Sequence, residues 1–178
     1  MQNQGVKFGL IYGGFTIIVL LVGYWTAPES MMDVTSWRSI VSYLVMGVCM
    51  FLAAKKTRDA KGGFIPFGEA FVPPMVTYVI GGLIGILATY LLVNVIDPSL
   101  QEVIIEGMIE MQEGIFDSVG MPEDQKIQAL EELEEQMTEN GAYGLAQISI
   151  GFLTNVFFIG LPISAIIAAI VKKKEPEV

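Results

Sequence analysis

Residues 71–96 read FVPPMVTYVIGGLIGILATYLLVNVI, 26 residues without one Asp, Glu, Lys or Arg. A helix needs roughly 20 mostly apolar residues to cross about 30 Å of hydrocarbon. In lipid the backbone has no water to bond, so such a segment crosses as a helix, here tilted or reaching past the lipid. Working outward, three more spans follow by the same test. One runs from Phe8 to Trp25, one from Trp37 to Ala54 and one from Leu145 to Val171. The only charge in the second, Arg38, sits at its end, where a long side chain snorkels to the interface. A chain with 53 % hydrophobic and 16 % charged residues is not an ordinary soluble domain. The expected fold is all-α: an integral membrane four-helix bundle, one domain over 1–178, with an extracytoplasmic two-helix acidic hairpin inserted at 97–144 between spans three and four.

Charge sets the expected direction. Lys7 precedes span one; Lys55, Lys56, Arg58 and Lys61 separate spans two and three; Lys172, Lys173 and Lys174 follow span four. Only Arg38 and Lys126 of the 10 basic residues fall on the other side. Loops rich in Lys and Arg stay in the cytoplasm, which predicts both termini inside. Span one lacks a good small-x-small cleavage site, since Pro28 follows Thr26 and Ala27 at once, and reads as an uncleaved anchor. The net charge of −9 belongs to the insert, where 97–144 holds 13 acidic residues and one basic one.

The insert has helical signals. Asp97 is a good N-cap and Pro98 fits the first helical position. Leu100, Val103, Ile104, Met108, Met111, Ile115 and Val119 form an apolar stripe, with Glu102, Glu106, Glu110, Glu113 and Asp117 on another face. Gly120-Met121-Pro122 breaks the chain. A second helix from about Pro122 to Glu139 places Ile127, Leu130, Leu133 and Met137 on its stripe and Glu131, Glu135 and Glu139 on its ridge; Asn140-Gly141 stops it. Helices of about 33 and 27 Å would have too little core to stand alone. The stripe must bury against its partner helix, the Met31-Met32 loop, the membrane surface or a second copy. The acidic ridges read as a solvated face, a docking surface for a basic or apolar partner over 98–139, or a divalent-cation site without an EF-hand loop.

Chemistry is sparsely signposted. The absence of His and the single Cys49 exclude Ser-His-Asp and Cys-His catalysis, an intrachain disulfide and most zinc sites, and Cys49 reads as a core residue. No paired intramembrane carboxylates and no phosphate-cradling loop appear, so neither an enzyme nor a bound cofactor or metal is expected. The acidic insert and short basic segments disfavour nucleic acid. Gly5, Gly9 and Gly13, and Gly81 and Gly85, recur every four residues, a spacing that brings helices close in lipid, within one bundle or in a homodimer. Glu69 sits among Phe64, Phe67 and Phe71 at a span edge, where it pairs with Lys56, Arg58 or Lys61 or couples proton transport. Pro73-Pro74 weakens the early hydrogen bonds of span three. Asn155, beside Thr154, is an interhelical hydrogen-bond donor, and Pro162 kinks span four.

Taken in order, the Phe67-Gly68-Glu69-Ala70-Phe71 segment, the Ile96-Asp97-Pro98 step, the acidic insert and the closing Lys172-Lys173-Lys174 resemble a family of bacterial membrane proteins catalogued as domain of unknown function 4199. The likeness spans nearly the whole chain. It implies a four-span inner-membrane protein, marks Phe67, Gly68, Glu69, Phe71, Asp97 and Pro98 as motif positions, and brings no catalytic residue. The function expected is a non-enzymatic interaction or assembly subunit that presents the hairpin outside. The alternative is a small oligomeric transporter or channel using Glu69 and Asn155.

Overall fold

A computed structural model describes residues 3–26, 37–140 and 144–173. Its long helices are α1 (Gln4–Thr26), α2 (Trp37–Ala60), α3 (Phe67–Leu91), α4 (Leu100–Ser118) and α5 (Glu123–Asn140). The shorter α6 (Leu145–Asn155) and α7 (Leu161–Val171) complete the chain. Four helical stretches are long and apolar enough to cross a membrane: Gln4–Thr26, Trp37–Ala60, Phe67–Ile96 and Ile148–Val171. Leu10, Ile18, Leu44, Val48, Leu87 and Ile170 on their outer faces are exposed. Apolar surface of that extent belongs against lipid, so the chain is a multi-pass membrane protein.

The span boundaries move from those expected. Helix α2 runs on past Ala54 through Lys55, Lys56 and Arg58, because long cationic side chains are good helix formers and reach water from a helix end. Helix α3 starts four residues early, at Phe67, so Pro73 and Pro74 lie well inside it. The turn between them uses Gly62 and Gly63 at φ 81° and 90°, a left-handed backbone that side-chain-bearing residues avoid. Two spans also contain wide π-helical turns, Leu92–Ile96 after α3 and Val156–Gly160 between α6 and α7. The second precedes Pro162, which lacks an N–H and whose ring crowds the preceding turn. The expected kink is therefore a local rewinding upstream of the proline.

Helix α1 lies along α3, running in the same direction. A Cβ on Gly5 would stand 2.8 Å from Val76 Cβ, one on Gly9 2.8 Å from Ile80 Cβ and one on Gly13 2.8 Å from Ile84 Cβ. Reciprocally, a Cβ on Gly81 would overlap the Tyr12 ring, and one on Gly85 would crowd the Thr16 hydroxyl. Both glycine series thus serve a contact inside one chain. Buried Thr77 tightens it, its hydroxyl lying 2.9 Å from Pro73 O and 3.1 Å from Gly5 O of α1. The core of the bundle holds Met46, Cys49, Met50, Ala54, Ala70, Tyr78, Ile167 and Ala168, with Cys49 in the packing role expected of it.

Candidate functional site

Helices α4 and α5 form an arm that leaves the bundle at Asp97. The π turn ends with the Asp97 N–H donating to Leu92 O at 2.8 Å. The Asp97 carboxylate then accepts from the Tyr24 phenol of α1 at 2.9 Å, from the Ser99 N–H at 3.2 Å and from the Ser99 hydroxyl. The Ser99 hydroxyl and, next, the Tyr24 phenol hold its carboxyl below the usual carboxylate range. Asp97 is therefore not the helix cap expected of it. Ser99 occupies that position and Pro98 lies in the turn before it. An Asp side chain bonds readily to the backbone two residues on, and here that turn joins the π turn to α4. Leu100 and Ile104 bury beside Leu92 and Val93, with Leu20 and Tyr24 packed around them. The arm is rooted in the bundle by apolar contact as well as by Asp97.

Along the arm the burial pattern departs from the expected stripe. Leu100 and Ile104 are buried and Val103 and Met108 half-buried, but Met111, Ile115 and Val119 are exposed. On α5, Met137 is buried and Leu130 and Leu133 half-buried, whereas Ile127 is 48 % exposed. Its neighbour Lys126, only 7 % exposed, takes the inward position. The ammonium lies 3.1 Å from Asp117, 3.1 Å from Glu123 and 3.6 Å from Glu113. Asp117 foremost, and then Glu123, push its pKa above the ordinary lysine value. The inference from periodicity failed here because a lysine stem packs as an apolar chain when its head is neutralised. The turn between the helices uses Gly120 at φ 71°. Among the described residues no group of acidic side chains is placed to hold a metal ion.

The other expected positions gather at the opposite end of the bundle. Glu69 is exposed and ion-paired with Lys61, one of the three partners foreseen. Phe67 stacks with Phe71 at 6.4 Å, and Gly68 has open space around its Cα. Ile65, fully buried, exchanges backbone hydrogen bonds of 2.9 and 3.0 Å with Lys173. The Lys172 and Lys173 ammoniums lie 6.0 and 5.3 Å from the Phe67 and Phe64 ring centres. The segment opening span three and the basic end of span four are thus one structural unit. That pairing is long-range and could not be read along the chain. Lys174 lies outside the described residues, as do Met31 and Met32.

Asn155 stands apart from Glu69. Its amide donates to Gly151 O at 3.0 Å within its own helix, and among the described residues its side chain makes no bond to another helix. Its backbone carbonyl does, accepting from the Tyr78 phenol at 3.2 Å. The cavity beside Glu69 is lined by Asn3, Gln4, Thr57 and Lys61 among others and does not include Asn155. Arg38 also differs from expectation. It does not snorkel but is 7 % exposed, with its guanidinium laid over Gly23 of α1, where a Cβ would overlap it.

The motif residues now stand in two clusters, one at each end of a four-span bundle, and a family model spans both. The model for a protein family of unknown function, DUF4199, matches residues 7–173. The chain belongs to that family. No curated protein and no solved structure gives a significant match to this DUF4199 chain.

Proposed function

We propose that this DUF4199 protein is a non-enzymatic assembly subunit of a bacterial inner membrane, with both termini cytoplasmic and the α4–α5 arm presented outside. One observation carries the reading. Met111, Ile115 and Val119, four residues apart on one face of α4, are 44, 46 and 68 % exposed on a helix whose base packs on the bundle through Leu100 and Ile104. Exposed carboxylates at Glu102, Glu106 and Glu110 lie on the opposite face of the same helix. An uncovered apolar stripe on a helix whose other face is acidic suits an amphipathic helix that carries Lys or Arg. A second copy would bring like charge against like, so the occupant is a basic partner helix. The split of basic residues between the two ends supports the orientation.

The test uses the full chain in nanodiscs and two synthetic amphipathic helices sharing one apolar face, one lysine-flanked and one glutamate-flanked. The lysine peptide should bind, more weakly at high salt, and Ile115→Asp should weaken it about tenfold or more, the loss of one buried aliphatic contact. Glu131→Gln should change little. Equal binding of both peptides, or indifference to Ile115→Asp, would remove the basis for the reading. A dimer seen by light scattering and lost in Ile115→Asp would make the occupant a second copy.

A further inference from the structure

A cavity of about 370 Å³ lies between α1, α2 and α3 and plays no part in the arm. Gly23 on α1 and Gly81, Gly82 and Gly85 on α3 belong to its wall. It reaches from Arg38 and Gly23 at the arm end of the bundle down to Tyr12, a step of 11 residues on α1 or about 16 Å. Its polar lining is unusual for a span interior. Buried Arg38 shares the wall with the hydroxyl-bearing residues Tyr12, Thr16, Ser39, Ser42, Tyr43 and Thr89. Thr16 and Thr89 donate to Gly13 O at 2.7 Å and Gly85 O at 3.0 Å of their own helices. Their oxygens therefore need no further acceptor. The phenols of Tyr12 and Tyr43 and the Ser42 hydroxyl have no hydrogen-bond partner among the described residues, and each is a donor on the cavity wall. Among the described residues no carboxylate belongs to the lining.

We infer that this cavity is a binding site for a phosphate group, with Arg38 as its charged anchor and the Ser42 and Tyr43 hydroxyls as neutral donors. A guanidinium carries five N–H donors in a fixed fork, so it holds a phosphate bidentately alongside a protein partner. Hydroxyl donors without acceptors complete an oxyanion's coordination and would repel no charge. Burial strengthens each of these bonds, because water is scarce to compete. Val19, Leu20 and Ile86 on the remaining wall suit an acyl or glyceryl stem. The same chemistry comes from a phospholipid headgroup or from a free phosphate ion.

The experiment measures thermal unfolding of the full chain in a neutral detergent, with sodium phosphate, short-chain phosphatidylglycerol or short-chain phosphatidylcholine added, at matched ionic strength. A ligand that binds only the folded state raises Tm. Phosphatidylglycerol is expected to raise Tm by several degrees, and the rise should vanish in Arg38→Gln and persist in part in Arg38→Lys. A rise with sodium phosphate alone, equally dependent on Arg38, assigns the site to the free ion. Should Arg38→Gln not fold, Ser42→Leu fills the cavity without touching the cation and should lose the same rise. No rise with any phosphate compound overturns the inference, as does a rise unchanged in both Arg38→Gln and Ser42→Leu.

Discussion

The α1–α3 pair and the α4–α5 pair are both two-helix contacts, and they close by opposite means. The first packs backbone against β-branched side chains through Gly5, Gly9 and Gly13. The second closes on one lysine among three carboxylates, with Leu130, Leu133 and Met137 beyond it. Between helices in lipid there is little hydrophobic drive, since the tails are as apolar as the side chains. Attraction comes from close approach and from bonds such as Thr77 to Gly5 O. In water, burial drives packing, but the arm is too small to bury much, and Lys126 neutralises carboxylates that would otherwise force its helices apart. The bundle should tolerate no added atom at its glycine stripe. The arm should respond to charge and pH.

The largest effect should come from Gly9→Leu. The new side chain has no room beside Ile80, and overpacking of this kind costs on the order of 3 kcal/mol. Loss of a monodisperse folded species in detergent is expected, whereas Gly14→Ala, in open space, should leave it intact. A well-folded Gly9→Leu protein would show that α1 and α3 do not depend on that approach.

Next comes the root of the arm. Ile104 is 1 % exposed, and Ile104→Ala should cost about 2–4 kcal/mol by leaving a void. Limited proteolysis should then cut 97–140 faster while the spans stay protected. Simultaneous loosening of both would mean that arm and bundle unfold as one unit.

Lys126→Gln should act more locally still. Removing the cation leaves Glu113, Asp117 and Glu123 facing one another, so amide exchange across α4 and α5 should accelerate, most at low salt. In the wild type the raised pKa of Lys126 means its contribution is complete below the ordinary lysine value of about 10.4. It fades only as pH rises through the raised value, so arm protection should persist to pH 10. Loss of protection near pH 9 would contradict the ion-pair geometry.

The smallest effect lies at Asp97. Its lowered pKa makes its contribution complete above the ordinary carboxylate value of about 4 and progressively lost as pH falls below that. Ser99→Ala should blunt this acid sensitivity most and Tyr24→Phe less, following the order of their influence on the carboxyl. The readout is exchange at α4 between pH 5 and 3. An unchanged acid profile in both variants would detach Asp97 from the anchorage.

Much of the fold was legible because lipid imposes a simple rule. Charge-free runs of span length had to be helices, and residues 145–171 kept their outer limits although a π turn interrupts them. The glycine spacing announced a close helix contact without saying which helix supplied the other side. The sites were less legible. Asp97 and Tyr24 are 73 residues apart, and Ile65 and Lys173 pair across the five helices α3 to α7, so no local pattern could join them. Arg38 was misread because a charge at a span end normally reaches for water, and nothing in the chain indicates that Gly23 would accommodate its guanidinium.

By itself the sequence determined the number of spans, their helical state, the clustering of basic residues at one end and the acidity of the insert. Each follows from the cost of leaving backbone or charge in hydrocarbon, which composition alone expresses. Only the tertiary structure decided which apolar residues of the arm stay uncovered, that Lys126 faces inward, and that Arg38 and six hydroxyl-bearing residues line one cavity. Those outcomes depend on how neighbouring helices fill or leave space, and that is a property of pairs of surfaces brought together from distant parts of the chain.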